Sequence, residues 1–183
     1  LGAVETQGDR QLFESNLGRI YSMAMVHQML HSSEDLESID FLGYLRQLCA
    51  YLRSGAAPTC RMEVTGESFS VNIAHAVPLG LLVNELLANS VKHSAPATRG
   101  ECRITIKTGV RDGIGWLRVS DSGTAEATEL FPDRRGFGLG LVSLLAGQID
   151  AEVAPQPGPG FAMEVTFALP GSRGAQDTVA SPS

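Results

Sequence analysis

The stretch Leu79–Ser94, LGLLVNELLANSVKHS, constrains this chain more than any other. Leu79, Leu82, Val83, Leu86, Leu87 and Val91 recur at the spacing of one helical face, and that face has to be buried. Glu85, Asn89 and Lys92 stand at i, i+4 and i+7, so they form a second row on another face. A carboxylate, an amide and an ammonium in one row suit metal and phosphate chemistry. They equally suit a solvated surface, and the helix taken alone favours the solvated surface.

The rest of the chain bears on that choice. Its 183 residues allow one ordinary domain plus a smaller piece. With 43% apolar and 19% charged residues, a sizeable core is expected. The net charge is −6 and no basic block stands out, which argues against a nucleic-acid surface but leaves room for a local phosphate site. The cysteines, Cys49, Cys60 and Cys102, are odd in number and far apart, with no CxxC pair. Neither a disulfide framework nor a zinc site is suggested, and a reducing, cytoplasmic setting fits best. No apolar run approaches the ~20 residues of a membrane span, so no membrane contact is expected, and no signal peptide opens the chain. The start at Leu1, without Met, suggests a trimmed piece of a longer chain.

Hydropathy patterning divides the chain. Gly8-Asp9 can open a helix with Asp9 as N-cap, running to His31. Its apolar residues form two stripes, Phe13, Leu17, Ile20 and Ala24 on one line and Met23, Val26 and Leu30 on another. Two stripes predict packing on two sides, as in a helical bundle or dimer. His27 and His31 stand at i, i+4, but without a third ligand they read as helix-surface histidines rather than a metal site. Asp40 is the expected N-cap of a second helix with Phe41, Tyr44, Leu45, Leu48 and Leu52 inward. Ala56-Ala57-Pro58 reads as the linker. Beyond it the period becomes that of strands. Strands are expected at 60–64, 69–71, 102–110, 115–120, 152–154 and 162–169. The helix 73–93 should kink or restart at Pro78, and Arg111-Asp112-Gly113 signals a hairpin. Residues 124–135 form a polar loop, a helix resumes over 139–149, and 171–183 should be disordered.

Two further features carry chemistry. Gly136-Phe137-Gly138-Leu139-Gly140-Leu141 lies at a helix start, behind Arg134 and Arg135. It is neither a Walker loop nor a dinucleotide fingerprint. Glycines beside free helix N–H groups nevertheless favour an anion such as phosphate. Asp121 ends a strand with Gly123 two residues on. That arrangement could receive an amino group on a flat ring, or could be a plain Asx-turn.

The order of helix row, Asp-x-Gly and glycine-rich helix start resembles the ATP-binding domain shared by gyrase-type ATPases, a class of heat-shock chaperones, histidine kinases and MutL proteins. Residues 84–93 (NELLANSVKH) resemble the N box, Asp121-Ser122-Gly123 the first glycine box and Gly136–Leu141 the second. The segment Arg19–Leu30 (RIYSMAMVHQML), with Ser33-Glu34-Asp35-Leu36 and Ile39-Asp40-Phe41, is similar to the dimerisation segment of sensor histidine kinases related to the HWE subfamily. The resemblance implies an α+β fold, a two-layer sandwich of the Bergerat type with helices on one face of a mixed sheet, preceded by a helical hairpin. It implies a partial dimerisation segment over 1–57, an ATP-binding domain over 58–170 and a tail over 171–183.

It also implies roles. Asn89 would hold Mg²⁺ on the ATP phosphates, and Glu85 would sit where the ATPase relatives keep a water-activating base. Lys92 and His93 would lie near phosphate, Asp121 and Gly123 would take the adenine, and Gly136, Gly138, Gly140 and Leu141 would shape the lid and phosphate end. The implied partners are a second copy of the chain and a response regulator receiver domain. Two departures stand out: Ala125 replaces a second glycine, and the lid over 124–135 is short. None of His27, His31, His75 and His93 has the context of an acceptor histidine, so the acceptor is expected upstream. The implied activity is that of a histidine kinase core. The alternatives are a docking module with a decayed ATP site, and an anti-sigma serine kinase, against which the helices of residues 10–53 argue.

Overall fold

The computed structural model describes residues 7–32, 37–55, 60–94, 102–123, 137–158 and 160–169. The expectations for Arg134, Arg135, Gly136, Ala125, the lid over 124–135 and the tail from 171 lie outside the described residues. The elements in order are α1 (Gln7–Ser32), β1 (Ser38–Asp40), α2 (Phe41–Ser54), β2 (Cys60–Gly66), β3 (Ser70–Asn72) and α3 (Ile73–Ser94). Then come β4 (Cys102–Arg111), β5 (Ile114–Asp121), α4 (Phe137–Gln148), β6 (Glu152–Pro155) and β7 (Ala162–Ala168).

The main sheet has the order β2-β4-β5-β7-β6. Only β2 and β4 are parallel, and the other neighbours are antiparallel. The parallel pair needs a crossover, which β3 and α3 supply. The β4–β5 hairpin closes at Asp112 and Gly113, both with positive φ (51° and 78°), the demand of a type I′ turn that an Asp-Gly pair meets at low cost. Along β5 the buried residues alternate as Gly115, Leu117, Val119 and Asp121. The same face of β4 and β7 supplies Ile104, Ile106, Met163, Val165 and Phe167 to the core. On the opposite face Arg118 forks onto Glu164, its register partner, at 2.7 Å.

The helices cover the apolar face. In α3, Leu79, Leu82, Val83, Leu86 and Leu87 are fully buried, as their spacing required. Asn72 caps this helix, its Oδ1 accepting the His75 backbone N–H at 3.0 Å. The helix continues through Pro78 rather than restarting there. The missing Pro78 N–H would have met the Ala74 carbonyl in the first turn, so little of the ladder is lost. Asp40 caps α2 as expected, accepting from Leu42 N–H at 3.1 Å. Residues 38–40 also form a strand pairing antiparallel with β3, which three residues without a full period did not reveal. The helix α2 packs on β2 and shares one core with the sheet.

Three sequence expectations are corrected here. The first helix starts at Gln7, so Asp9 lies inside it rather than capping it. The glycine-rich stretch is helical from Phe137, two residues earlier than the period suggested, because glycines mask an apolar pattern without preventing helix formation. Cys60 and Cys102 form a disulfide. They are register partners on the parallel strands β2 and β4, with Cα atoms 4.5 Å apart and both side chains on the buried face. Sequence spacing of 42 residues concealed a pair that strand register brings together. Cys49 remains a free, buried thiol, and burial pushes its pKa up to about 12.

The helix α1 buries one side only. Gly18, Ser22, Met25, Val26 and Leu30 face inward, whereas Phe13, Leu17, Ile20 and Met23 are exposed. Of the second expected stripe Val26 and Leu30 are packed but Met23 is not, and the first stripe, Phe13, Leu17, Ile20 and Ala24, is left uncovered by the described residues.

Candidate functional site

The polar row of α3 is graded in depth. Glu85 is buried at 3% exposure, Asn89 is half-buried and Lys92 is exposed. A solvated row would expose all three, so the plain wet-face reading fails at Glu85. The carboxylate is held by α1: Arg19 Nε donates to Oε1 at 2.7 Å and Nη2 to Oε2 at 3.1 Å. This parallel fork is the strong geometry for a guanidinium and a carboxylate. It raises the Arg19 pKa, first through that hydrogen bond, with burial opposing. One turn on, the Asn89 Nδ2 group is buried and has no partner among the described residues.

The contact between α1 and α3 is close. A Cβ at Gly18 would meet Asn84 Oδ1 at 2.9 Å. A Cβ at Gly80 would come within 2.4 Å of the Tyr44 hydroxyl and 3.0 Å of Ser22 Oγ. Ser22 and Tyr44 share a hydrogen bond beneath this crossing. Burial holds the Tyr44 phenol well above its ordinary range, partly offset by that bond. Three helices thus meet where the polar row begins.

The second part of the site is the corner after β5. Asp121 follows Leu117 and Val119 on the face turned to the helices, so a carboxylate stands in phase with core residues. Its Oδ1 accepts from Gly123 N–H at 2.8 Å and from Phe161 N–H at 3.3 Å. The backbone beside it is pinned by Asp121 N–H to the Phe161 carbonyl, 2.9 Å, and Ser122 N–H to the Arg103 carbonyl, 3.0 Å. Gly160 closes the corner with φ +85°, where a Cβ would come within 2.5 Å of the Asp121 carbonyl oxygen. Meanwhile Oδ2 is buried and without a partner among the described residues. The Asx-turn and the ligand reading therefore use different oxygens. Buried polar atoms are nearly always paired, and an orphaned acceptor calls for a missing donor.

The helix α3 packs against both β5 and α4. That layer places the Asn89 row, the Asp121 corner and the first turn of α4 around one side of the sheet. In α4, Gly140 is exposed and a Cβ there would meet nothing within 4 Å, so no packing contact requires glycine. Leu141 is half-buried against the core. His93 and Gly138 are placed by their backbone, within α3 and α4. His27 and His31 contact each other edge to face on exposed α1 positions. Among the described residues no three His, Cys, Asp or Glu side chains gather as a metal cage.

Sequence reasoning missed Arg19, Gly160 and the Phe161 amide. Arg19 lies 66 residues from Glu85, and no local pattern connects them. The parity of Leu117, Val119 and Asp121 was the available signal that Asp121 is buried.

The family described as histidine kinase-, DNA gyrase B-, and HSP90-like ATPase matches residues 74–173, and a histidine kinase family matches residues 2–56. The chain belongs to the histidine kinases of this ATPase family. No curated protein matches it significantly. Among solved structures, this histidine kinase chain is similar to the histidine kinase domain of the Erythrobacter litoralis EL346 blue-light activated histidine kinase. The TM-score is 0.73 at 20% identity, covering 85% of this chain and 75% of that one. Against a longer EL346 structure it covers 56% of that chain, at TM-score 0.73 and 19% identity over 87% of this one. The mycobacterial sensor histidine kinase MprB matches with TM-score 0.60 and 19% identity, over 73% of this chain and 97% of that one. At these identities the likeness is one of fold: the two-layer α/β arrangement expected from the sequence.

Proposed function

We propose that this chain is the catalytic portion of a two-component sensor histidine kinase that binds Mg-ATP and passes the γ-phosphoryl group to a histidine. From there the group would go to an aspartate on a response regulator receiver domain. The observation that carries the reading is Asp121. One of its oxygens is consumed by two backbone amides, and the other is buried without a partner among the described residues. An exocyclic amino group is the donor this oxygen lacks, and buried Gly123 leaves no side chain in the way of a flat ring.

The remaining residues fit a phosphate end. Asn89 offers an amide oxygen to Mg²⁺, which commonly takes few protein ligands and completes its shell with water and phosphate. When bound, Mg²⁺ would neutralise charge on the phosphates during transfer. Lys92 and His93 supply cationic or hydrogen-bonding groups one turn on. Gly138 and Gly140 lie in the first turn of α4, where backbone N–H groups favour an anion, and with Gly136 and Leu141 they are the residues proposed for the lid and phosphate end. Glu85 is a catalytic candidate that can accept a proton or orient the metal's water shell.

The proposed division is a dimerisation segment over 1–57 and the ATP-binding domain over 58–170. The acceptor is proposed to be none of the four histidines here. The uncovered Phe13, Leu17 and Ile20 stripe fits a second copy of the chain as partner. No described helix is long and apolar enough to cross a membrane. Cytoplasmic placement is proposed with the Cys60–Cys102 disulfide as an exception to the usual reduced state of that compartment.

Titration with a fluorescent ATP analogue tests the reading. Wild type should bind in Mg²⁺, and Asn89→Ala should lose Mg²⁺-dependent binding while keeping its circular dichroism spectrum. Equal binding by the two would sink the Mg-ATP reading.

A further inference from the structure

The fork between Arg19 and Glu85 joins the leading helix to the row that would face nucleotide phosphates. Glu85 is buried at 3% exposure, and the Arg19 side chain is 21% exposed. Among the described residues the Glu85 carboxylate has Arg19 as its hydrogen-bonding and ionic partner. Asn89 lies at i+4 from Glu85, a separation of about 5–6 Å between Cβ atoms. An uncompensated carboxylate at that range would repel a polyphosphate, and partial burial leaves the repulsion poorly screened.

We propose that Arg19 is a positioning residue of the nucleotide site. By forking onto Glu85 it cancels that charge and fixes the carboxylate, so that nucleotide affinity depends on α1 being seated against α3. This rests on the nucleotide-binding reading above. It makes the leading helix part of the ATP site through one guanidinium, without contact between that helix and the ligand. The seat itself is specific: Gly18 lies against Asn84, and Gly80 lies against Ser22 and Tyr44, so α1 has little freedom to slide while the fork is closed. A movement of α1 that opened the fork would expose the Asn89 row to a bare carboxylate and lower affinity.

The test is a binding titration of the full chain with a fluorescent ATP analogue in Mg²⁺, at a temperature where circular dichroism shows every variant folded. Arg19→Ala should weaken binding about tenfold. Arg19→Lys, which keeps the charge but not the fork, should fall between the two. The double variant Arg19→Ala/Glu85→Gln should regain most of the lost affinity, because neutralising the carboxylate replaces what Arg19 did. A fork that merely staples α1 in place predicts the opposite, a double variant as weak as Arg19→Ala. That result, or Arg19→Ala binding like wild type, overturns the proposal. Failure of wild type to bind the analogue at all would overturn the nucleotide reading and this inference with it, and is distinguishable from both.

Discussion

Asp121 is positioned by backbone amides from its own turn and from the segment leading into β7. Glu85 is positioned by a side chain from a helix 66 residues earlier. Both are buried carboxylates on the helix-facing side of the molecule, at 9% and 3% exposure. The first is fixed as soon as β5 and β7 pair, since amides in a sheet have no rotamers to choose. The second depends on α1 reaching its seat, and a guanidinium on a long stem must be ordered to hold it. The proposed adenine end is thus built into the sheet, whereas the proposed phosphate end is completed by another segment. A site divided in this way can keep its base recognition while its phosphate grip varies.

The largest expected effect tests the sheet-borne half. Asp121→Asn can keep the Gly123 and Phe161 bonds through Oδ1 and place an NH₂ where Oδ2 stood. Two donors would then face each other, and affinity for an ATP analogue should fall about 100-fold with the melting temperature nearly unchanged. An affinity within threefold of wild type would show that this oxygen does not read the base.

Gly160→Ala probes the same half through the backbone. The positive φ and the 2.5 Å approach to the Asp121 carbonyl should cost about 2–3 kcal/mol of stability. Chemical denaturation reads the loss, and a change below about 0.5 kcal/mol would mean the corner yields more easily than its geometry indicates.

Gly80→Ala sharpens the contrast from the helix-borne side. The added methyl would press on the Tyr44 hydroxyl and Ser22 Oγ, at a cost of about 1–2 kcal/mol. Amide shifts should move at Arg19, Glu85 and Asn89 and stay put at Gly123 and Phe161. Equal perturbation of both groups would erase the distinction between the halves.

The smallest effect is a control remote from both. Asp40→Ala removes the α2 cap and its contact with Ser68, for about 1 kcal/mol. Nucleotide affinity should be unaffected within error, and a marked loss would tie α2 to the site as well.

Much of this division was legible in the residues, and unequally so. The apolar face of α3, the Asp-Gly hairpin and the cap at Asp40 follow from local period and turn chemistry, which the chain carries within a few residues. The candidate residues Asn89, Asp121 and Gly140 were found because they recur in a recognisable order. Arg19 against Glu85, Gly160 against Asp121 and Cys60 against Cys102 were not legible. Each is a pairing across tens of residues, decided by helix seating or strand register. Asp121 shows the boundary between the two kinds. Its parity with Leu117 and Val119 fixed its burial, but only the closing Phe161 amide showed which oxygen is spent and which is left over.

The Cys60–Cys102 bond has a topological effect separate from any contact it makes. It closes a covalent ring that contains β2, β3 and all of α3, including Glu85 and Asn89. A single protease cut anywhere within that ring opens it without releasing a piece. A cut outside it, between Cys102 and β7 or ahead of β2, divides the chain in two. On a denaturing gel the two classes of nick separate by whether a reductant is needed to see them. A single cut in either connection of α3 would leave its polar row covalently joined to both β2 and β4.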